Sequence, residues 1–367
     1  MRMSNIHRKI IPAPVLPPSG ANVNSRLIDL RSDTATRPTP EMREAMCRAE
    51  VGDDSSGEDP TVNHLLEKCA GLFGKESAIF VPSGTQANQI AINVYTQPGE
   101  EVIADTGCHP YRSELGAAAL ISGIQFSFVS ADRGVYARKE AESVLRPLYE
   151  KSPRSAIIWV ENTHNAGGGQ VFPLAKLKEL SELSKEQSIP LHIDGARIFN
   201  AIVASGIQPG IWGQHCDSLS FCLSKGLGCP VGSILMGTRD FIEQARMRRK
   251  ILGGSWRQAG ILAAAGLHAL DHHVERLEED HQNAQLFAEK TSGIPGIRHL
   301  YETTPTNIVY LDTSESGKTA PEINEQLKQK GVALSALGKM TLRAVTHIDV
   351  TREDIRRVAK ALAEAVT

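Results

Sequence analysis

The chain has 367 residues, 41% of them hydrophobic and 22% charged, with a formal net charge of −2. Such a composition describes a soluble globular protein long enough for two domains, and its balanced charge offers no basic field for nucleic acid. No apolar run reaches the ~18 residues a membrane-spanning helix needs, and the six cysteines, at 47, 69, 108, 216, 222 and 229, form no Cys-x-x-Cys pair and read as reduced thiols of a cytoplasmic protein.

Residues 1–26 are proline-rich (IIPAPVLPPSG) and carry no acidic residue, which predicts a disordered extension. The prolines oppose the amphipathic helix of a transit peptide. Folded sequence begins near Leu27, with a possible short strand at Ile28-Asp29-Leu30. Thr39 is placed to cap a helix whose first position is Pro40. After the polar loop GDDSSGEDP, apolar positions 62, 65, 66, 69, 70 and 73 predict a second helix.

Ser77–Pro82 reads as a strand running into Ser83-Gly84-Thr85 and a helix. Strand, small hydroxyl residues, then helix is a phosphate cradle, because the first N–H groups lack helical partners and the dipole favours an anion. The same residues also make an ordinary N-cap. EVIAD at 101–105 is the next strand, followed by His109, which is placed to stack on a planar cofactor or simply to sit in a loop. SAIIWVE at 155–161 is a buried strand ending in the polar cluster that holds His164. The helix LAKLKELSELSKEQ follows, and PLHIDGAR returns as a strand with Asp194 at its end and Arg197 three residues on. The run DSLSFCLS then stops at Lys225, among glycines.

A strand-end lysine without bulky neighbours suits a Schiff base, which requires a neutral amine. A strand-end aspartate suits the pyridinium nitrogen of a pyridoxal phosphate. Alternating strands and helices, with each polar cluster after a strand, predict an open, mostly parallel α/β sheet with its site beyond the carboxyl ends. No Gly-x-Gly-x-x-Gly follows the first strand, which argues against a dinucleotide.

Arg246–Arg257 forms a basic cluster that serves either a site or a solvated face. A long helix is expected from about Gln258 to Glu279. His268 and His272 on it have the spacing of two zinc ligands, but the glutamate of His-Glu-x-x-His is missing because residue 269 is alanine. After about residue 280 short strands and helices (NIVYLD, PEINEQLKQKG, VALSAL, TLRAVT) predict a small α+β domain. Ser316-Gly317-Lys318-Thr319 imitates a P-loop ending, but the glycine that motif needs at 312 is aspartate. The expected division is a large domain over 27–270 and a small one over 271–367.

The motifs LRSDT, GEDPTVN, VPSGTQAN, ENTHN, HIDGAR, SKGLG, RQAG and RAVTH occur in this order. Together with His109 they make the chain resemble L-threonine aldolases of pyridoxal phosphate fold type I, related to the aromatic β-eliminating lyases, over about residues 27–355. The resemblance implies pyridoxal 5'-phosphate as cofactor, an amino-acid substrate and a homo-oligomer that is a dimer of dimers. It implies that Lys225 carries the Schiff base and that Asp194 holds the pyridine nitrogen. Ser83, Gly84 and Thr85 would bind the phosphate, helped by Lys250 and Arg257 of a neighbouring subunit. Ser32, Arg197 and Arg343 would hold the substrate carboxylate, His109 would stack on the ring, and His164 would lie near the substrate hydroxyl. Three segments depart from the family pattern. Ser55-Ser56 replace a Val-Tyr, Gly116-Ala117 stand for a glycine pair, and Ser255-Trp256 interrupt a glycine-rich run. The implied reaction is cleavage of L-threonine or L-allo-threonine to glycine and an aldehyde; racemisation of alanine, or another lyase reaction at Cα on the same scaffold, is the alternative.

Overall fold

The structure is a computed structural model that describes residues 26–146 and 151–366. The expected extension lies outside these residues, apart from Arg26. In chain order the strands are β1 (Ile28–Asp29), β2 (Ser77–Val81), β3 (Glu101–Asp105), β4 (Gln125–Val129), β5 (Ser155–Glu161), β6 (Leu191–Asp194), β7 (Ser218–Cys222), β8 (Ser233–Gly237), β9 (Arg298–His299), β10 (Ile308–Asp312), β11 (Val332–Ala333), β12 (Ser335–Ala336) and β13 (Thr341–Val345). The main sheet has the order β2-β8-β7-β6-β5-β3-β4. All its pairs are parallel except the two made by β8, which runs antiparallel between β2 and β7.

Helices cover both faces of this sheet, so its strands are apolar on both sides. Along β5 every residue is buried. Ile158 and Val160 pack into one core with Phe73, Leu177 and Phe221, while Ile157 and Trp159 pack into another with Ile90 and Val102. Neighbouring residues face opposite ways because the side-chain period of a strand is two. The polar residues that end β2, β3, β5, β6 and β7 consequently share one edge of the sheet.

The second unit is an antiparallel sheet of order β12-β13-β10-β9. Val309, Leu311, Leu342 and Ala344 face the helices Leu277–Thr291, Ala320–Gln329 and Arg352–Val366. Tyr310 and Arg343 alternate with them and stand opposite each other in register. Their side chains therefore project from the other face.

Three expectations change. Ile28 and Leu30, placed with the large domain, pack in the core of the small unit, where β1 pairs with β11. A parallel partner on the C-terminal unit buries them, which a two-residue strand gains nowhere else. VALSAL is not one strand: β11 pairs with β1 and β12 with β13. The long helix expected from Gln258 is two, Gly260–His272 and Leu277–Thr291. The break lets Ala284, Leu286 and Phe287 reach the small unit's core, beside the expected boundary at 270–271. Among the described residues, no helix is long and apolar enough to cross a membrane.

Candidate active site

A cavity of about 210 Å³ lies at the carboxyl ends of the parallel strands. After β2, Ser83 caps the helix Gly84–Tyr95, its hydroxyl accepting the N–H of Gln86 at 3.1 Å. The N–H groups of Gly84 and Thr85 have no helical acceptor at these positions. Gly84 cannot be replaced without movement, since a Cβ there would stand 2.8 Å from Cys222 Sγ. After β7, Lys225 lines the same cavity, held by its own backbone: its carbonyl accepts from Thr36 Oγ1 at 3.0 Å and from the N–H of Gly228 at 2.8 Å.

Asp194, at the end of β6, is 2% exposed. Its Oδ2 accepts from Asn88 Nδ2 at 2.8 Å and its Oδ1 from the N–H of Ala196 at 3.1 Å. Among the described residues, no lysine or arginine forms an ion pair with it. A buried carboxylate with only neutral donors is an incomplete arrangement, because burial of a charge is costly without an opposite one.

A second network begins at Glu114. Its buried carboxylate accepts from Asn88 at 2.9 Å, from Gln89 at 2.6 Å, and is 2.7 Å from His109 Nδ1. Asn88 thus donates to both Glu114 and Asp194, linking His109 to the aspartate. The backbone N–H of His109 donates to Glu161 Oε2 at 2.8 Å and that of Asn165 to Glu161 Oε1 at 2.8 Å. Burial acts against a charged His109, but the Glu114 hydrogen bond and the charges of Asp194, Glu161 and Glu114 outweigh it and raise the imidazole above its ordinary value. Replacing Glu114 with glutamine removes that charge-assisted bond and should lower the His109 titration midpoint. The ring-proton NMR shift followed against pH measures this; an unmoved midpoint would contradict the network as the cause.

The remaining expected residues divide. Arg197 lines the cavity, but its Nε and Nη2 both donate to Asp33, at 2.7 Å each, in a fully buried pair. Its Nη1 makes no hydrogen bond among the described residues. Ser32 lies next to Asp33 and caps the turn Asp33–Ala35; its Oγ accepts from the N–H and hydroxyl of Thr34. Ser32 lines neither the main cavity nor its neighbour, whereas Thr34 lines the main one. Arg343 lines the adjoining cavity, where Nη1 donates to Asn165 Oδ1 at 3.1 Å. His164 is buried and lines neither cavity. Its Nδ1 accepts the N–H of Gly167 at 2.9 Å, which leaves Nε2 to donate to Asp105 Oδ1 at 3.1 Å. Gly134, at φ +81°, passes so close that a Cβ would meet the His164 ring at 2.1 Å. Lys250 and Arg257 are exposed and line neither cavity of their own chain.

The basic cluster is mixed: Arg249 is buried, pairing with Asp54 at 3.0 Å and donating to the carbonyl of Phe80. Two of the unusual segments meet, since Ser55 Oγ donates to the Trp256 carbonyl at 2.8 Å and the Trp256 ring stacks on Phe80. Sequence reasoning missed Asp33, Asn88, Glu114 and Glu161. Glu161 carried a usable signal, an acid at the carboxyl end of an apolar strand. Asp33 and Asn88 stood inside quoted motifs with nothing to assign them a partner.

Residues 29–314 match the beta-eliminating lyase family. The low specificity L-threonine aldolase of Escherichia coli (strain K12) is 44% identical over 336 residues, which is 91% of this chain and 97% of that one. Low-specificity L-threonine aldolase 1 of Arabidopsis thaliana is 39% identical, covering 93% of this chain and 97% of its own. In three dimensions the threonine aldolase of Leishmania major superposes with a TM-score of 0.79 at 20% identity, over 93% of this chain and all of that one, a likeness of fold. With this match running from β1 through β10 and so across every strand end of the cleft, the chain belongs to the beta-eliminating lyase family.

Proposed function

We propose that the protein is a pyridoxal 5'-phosphate-dependent aldolase that cleaves L-threonine and L-allo-threonine to glycine and acetaldehyde. The observation that carries this reading is Asp194, a buried carboxylate without a cationic partner, in one cavity with Lys225 and a helix N-terminus. A protonated pyridine nitrogen supplies the missing charge, an aldehyde suits the lysine, and a phosphate suits the free N–H groups of Gly84 and Thr85. The names carried by relatives 44% and 39% identical support the same activity. When bound, the pyridoxal ring supplies an electron sink for the pair left as Cα–Cβ breaks.

The chain's own residues then have separable tasks. Asp194 keeps the pyridine nitrogen protonated, and Ser83, Gly84 and Thr85 hold the phosphate. Lys250 and Arg257, exposed on their own chain, would reach the phosphate of a second copy. His109 would pack against the cofactor. Its Nε2 makes no hydrogen bond among the described residues, while Nδ1 is oriented by Glu114. His109 Nε2 is therefore the group placed to accept the β-hydroxyl proton, a task for which both nitrogens of His164 are already committed. Arg343, with Arg197, would orient the substrate carboxylate and so would select which Cα bond the bound cofactor activates.

Incubating the purified protein with L-threonine, L-allo-threonine and L-alanine tests the reading. Acetaldehyde from the first two is expected; D-alanine from the third without acetaldehyde would replace it with a racemase. Arg343→Lys should lower kcat/KM for threonine by about tenfold or more, since lysine cannot copy a two-pronged contact. The spectrum of the bound cofactor should not change, because Arg343 belongs to the small unit; unaltered kinetics would remove it from the site.

A further inference from the structure

The cleft continues past His109 and Asn165, which line both spaces, into a second cavity of about 410 Å³. The methyl group of threonine would occupy little of it. Leu300, Tyr301, Tyr310 and Leu337 give it an apolar side, Ser113, Asn165 and Thr341 a polar one, and Arg112 and Arg343 a cationic one; among the described residues no aspartate or glutamate lines it. The aromatic wall is already fixed. Tyr301 donates its hydroxyl hydrogen to the Ala166 carbonyl at 2.6 Å, packs edge-on to Tyr310 with centroids 5.8 Å apart, and carries the Arg133 guanidinium 4.6 Å from its ring centre.

The two cations differ. Arg343, assigned above to the α-carboxylate, is held in place by Nη1 on Asn165 at 3.1 Å and Nη2 on the Arg31 carbonyl at 3.0 Å. Arg112 ends the short helical turn that begins at His109. Among the described residues its side chain makes no hydrogen bond or ion pair, and its charge is felt by the phenol of Tyr301. An unpaired guanidinium exposed at the edge of a cavity that no described carboxylate lines is a receptor for an anion, since no acid there competes for its charge-assisted bond.

We propose that this cavity receives the β-substituent of the substrate and that Arg112 selects substituents ending in a carboxylate. The substrate class is β-hydroxy-α-amino acids with an aromatic or similarly long β-substituent that bears a distal carboxylate. The inference rests on the aldolase reading above. The reaction balances as it does for threonine: Cα–Cβ breaks, the β-hydroxyl loses its proton, Cα gains one, and glycine leaves with a carboxylate-bearing aldehyde.

The test compares 3-phenylserine with 3-(4-carboxyphenyl)serine in the wild-type holoenzyme and in Arg112→Met. One charge-assisted bond predicts that the wild type favours the carboxylate compound by roughly tenfold in kcat/KM and in calorimetric affinity. Arg112→Met should bring that ratio to about one. Equal efficiency and affinity in the wild type, or a preference that persists in Arg112→Met, overturns the assignment. The two readings fail separately. Threonine left uncleaved, with the Arg112-dependent difference in affinity intact, sinks the aldolase reading alone; threonine cleaved, with the two probes bound equally, sinks the Arg112 assignment alone.

Discussion

Replacing Lys225 with alanine is expected to lower threonine cleavage by roughly three orders of magnitude or more while leaving the fold intact. The two halves of that expectation have separate grounds. Activity depends on the side chain, the one lysine among the described residues that lines the cavity with Asp194 and the cradle at Gly84. The fold should survive because the hydrogen bonds Lys225 makes within the chain run through its carbonyl, to Thr36 and Gly228, and alanine keeps both, while its charge is only a lesser support of Asp33 beside the Arg197 pair. Borohydride treatment of the wild type should fix the cofactor covalently, and peptide mapping should find it on residue 225. A reduced adduct on another lysine, or substantial turnover by Lys225→Ala, would displace Lys225 from its role.

Much of this cleft was legible because a parallel sheet puts its chemistry in one place. Apolar runs ending in polar residues at Ser83, His109, His164, Asp194 and Lys225 mark strand ends, and the topology rule collects strand ends at one edge. What could not be read is which polar residue faces the cavity and which faces a neighbour. His109 and His164 look alike in sequence, each just past an apolar strand. The difference lies in the glycines at 134 and 167, which let backbone close over one ring and not the other. Arg197 was legible as a site residue but not its commitment to Asp33, because that bond spans 164 positions. The short strand Ile28–Asp29 likewise gives no hint that its partner is Val332–Ala333, almost the whole chain away. Local pattern reports the element; long-range pairing reports where it goes.

That Asp33–Arg197 pair supports the second large expectation. Asp33 is fully buried and Arg197 nearly so, with two hydrogen bonds of 2.7 Å between them. It also joins the two units, since Asn307 Nδ2 lies 3.4 Å from Asp33 Oδ2 and the turn holding Asp33 leads from β1 of the small unit. Asp33→Asn keeps the shape and removes the charge, leaving a buried guanidinium unpaired. Loss of one partner of a buried ion pair costs about 3–5 kcal/mol, so a large drop in the urea midpoint is expected at neutral pH. Acid should narrow the difference. Burial alone would raise the Asp33 carboxyl, but the Arg197 charge and its hydrogen bonds, with Lys225 and His347 contributing, hold it well below the ordinary carboxylate range. A carboxylate so depressed adds stability above its unfolded value, and this is lost as pH falls through that value toward the folded one. The wild type should therefore lose stability steeply below the ordinary carboxylate range, while Asp33→Asn, already lacking this contribution, loses less. Urea midpoints of both proteins measured from neutral pH downward decide the matter: curves that stay parallel, or a variant as stable as the wild type at neutral pH, would show that the pair does not hold the two units together.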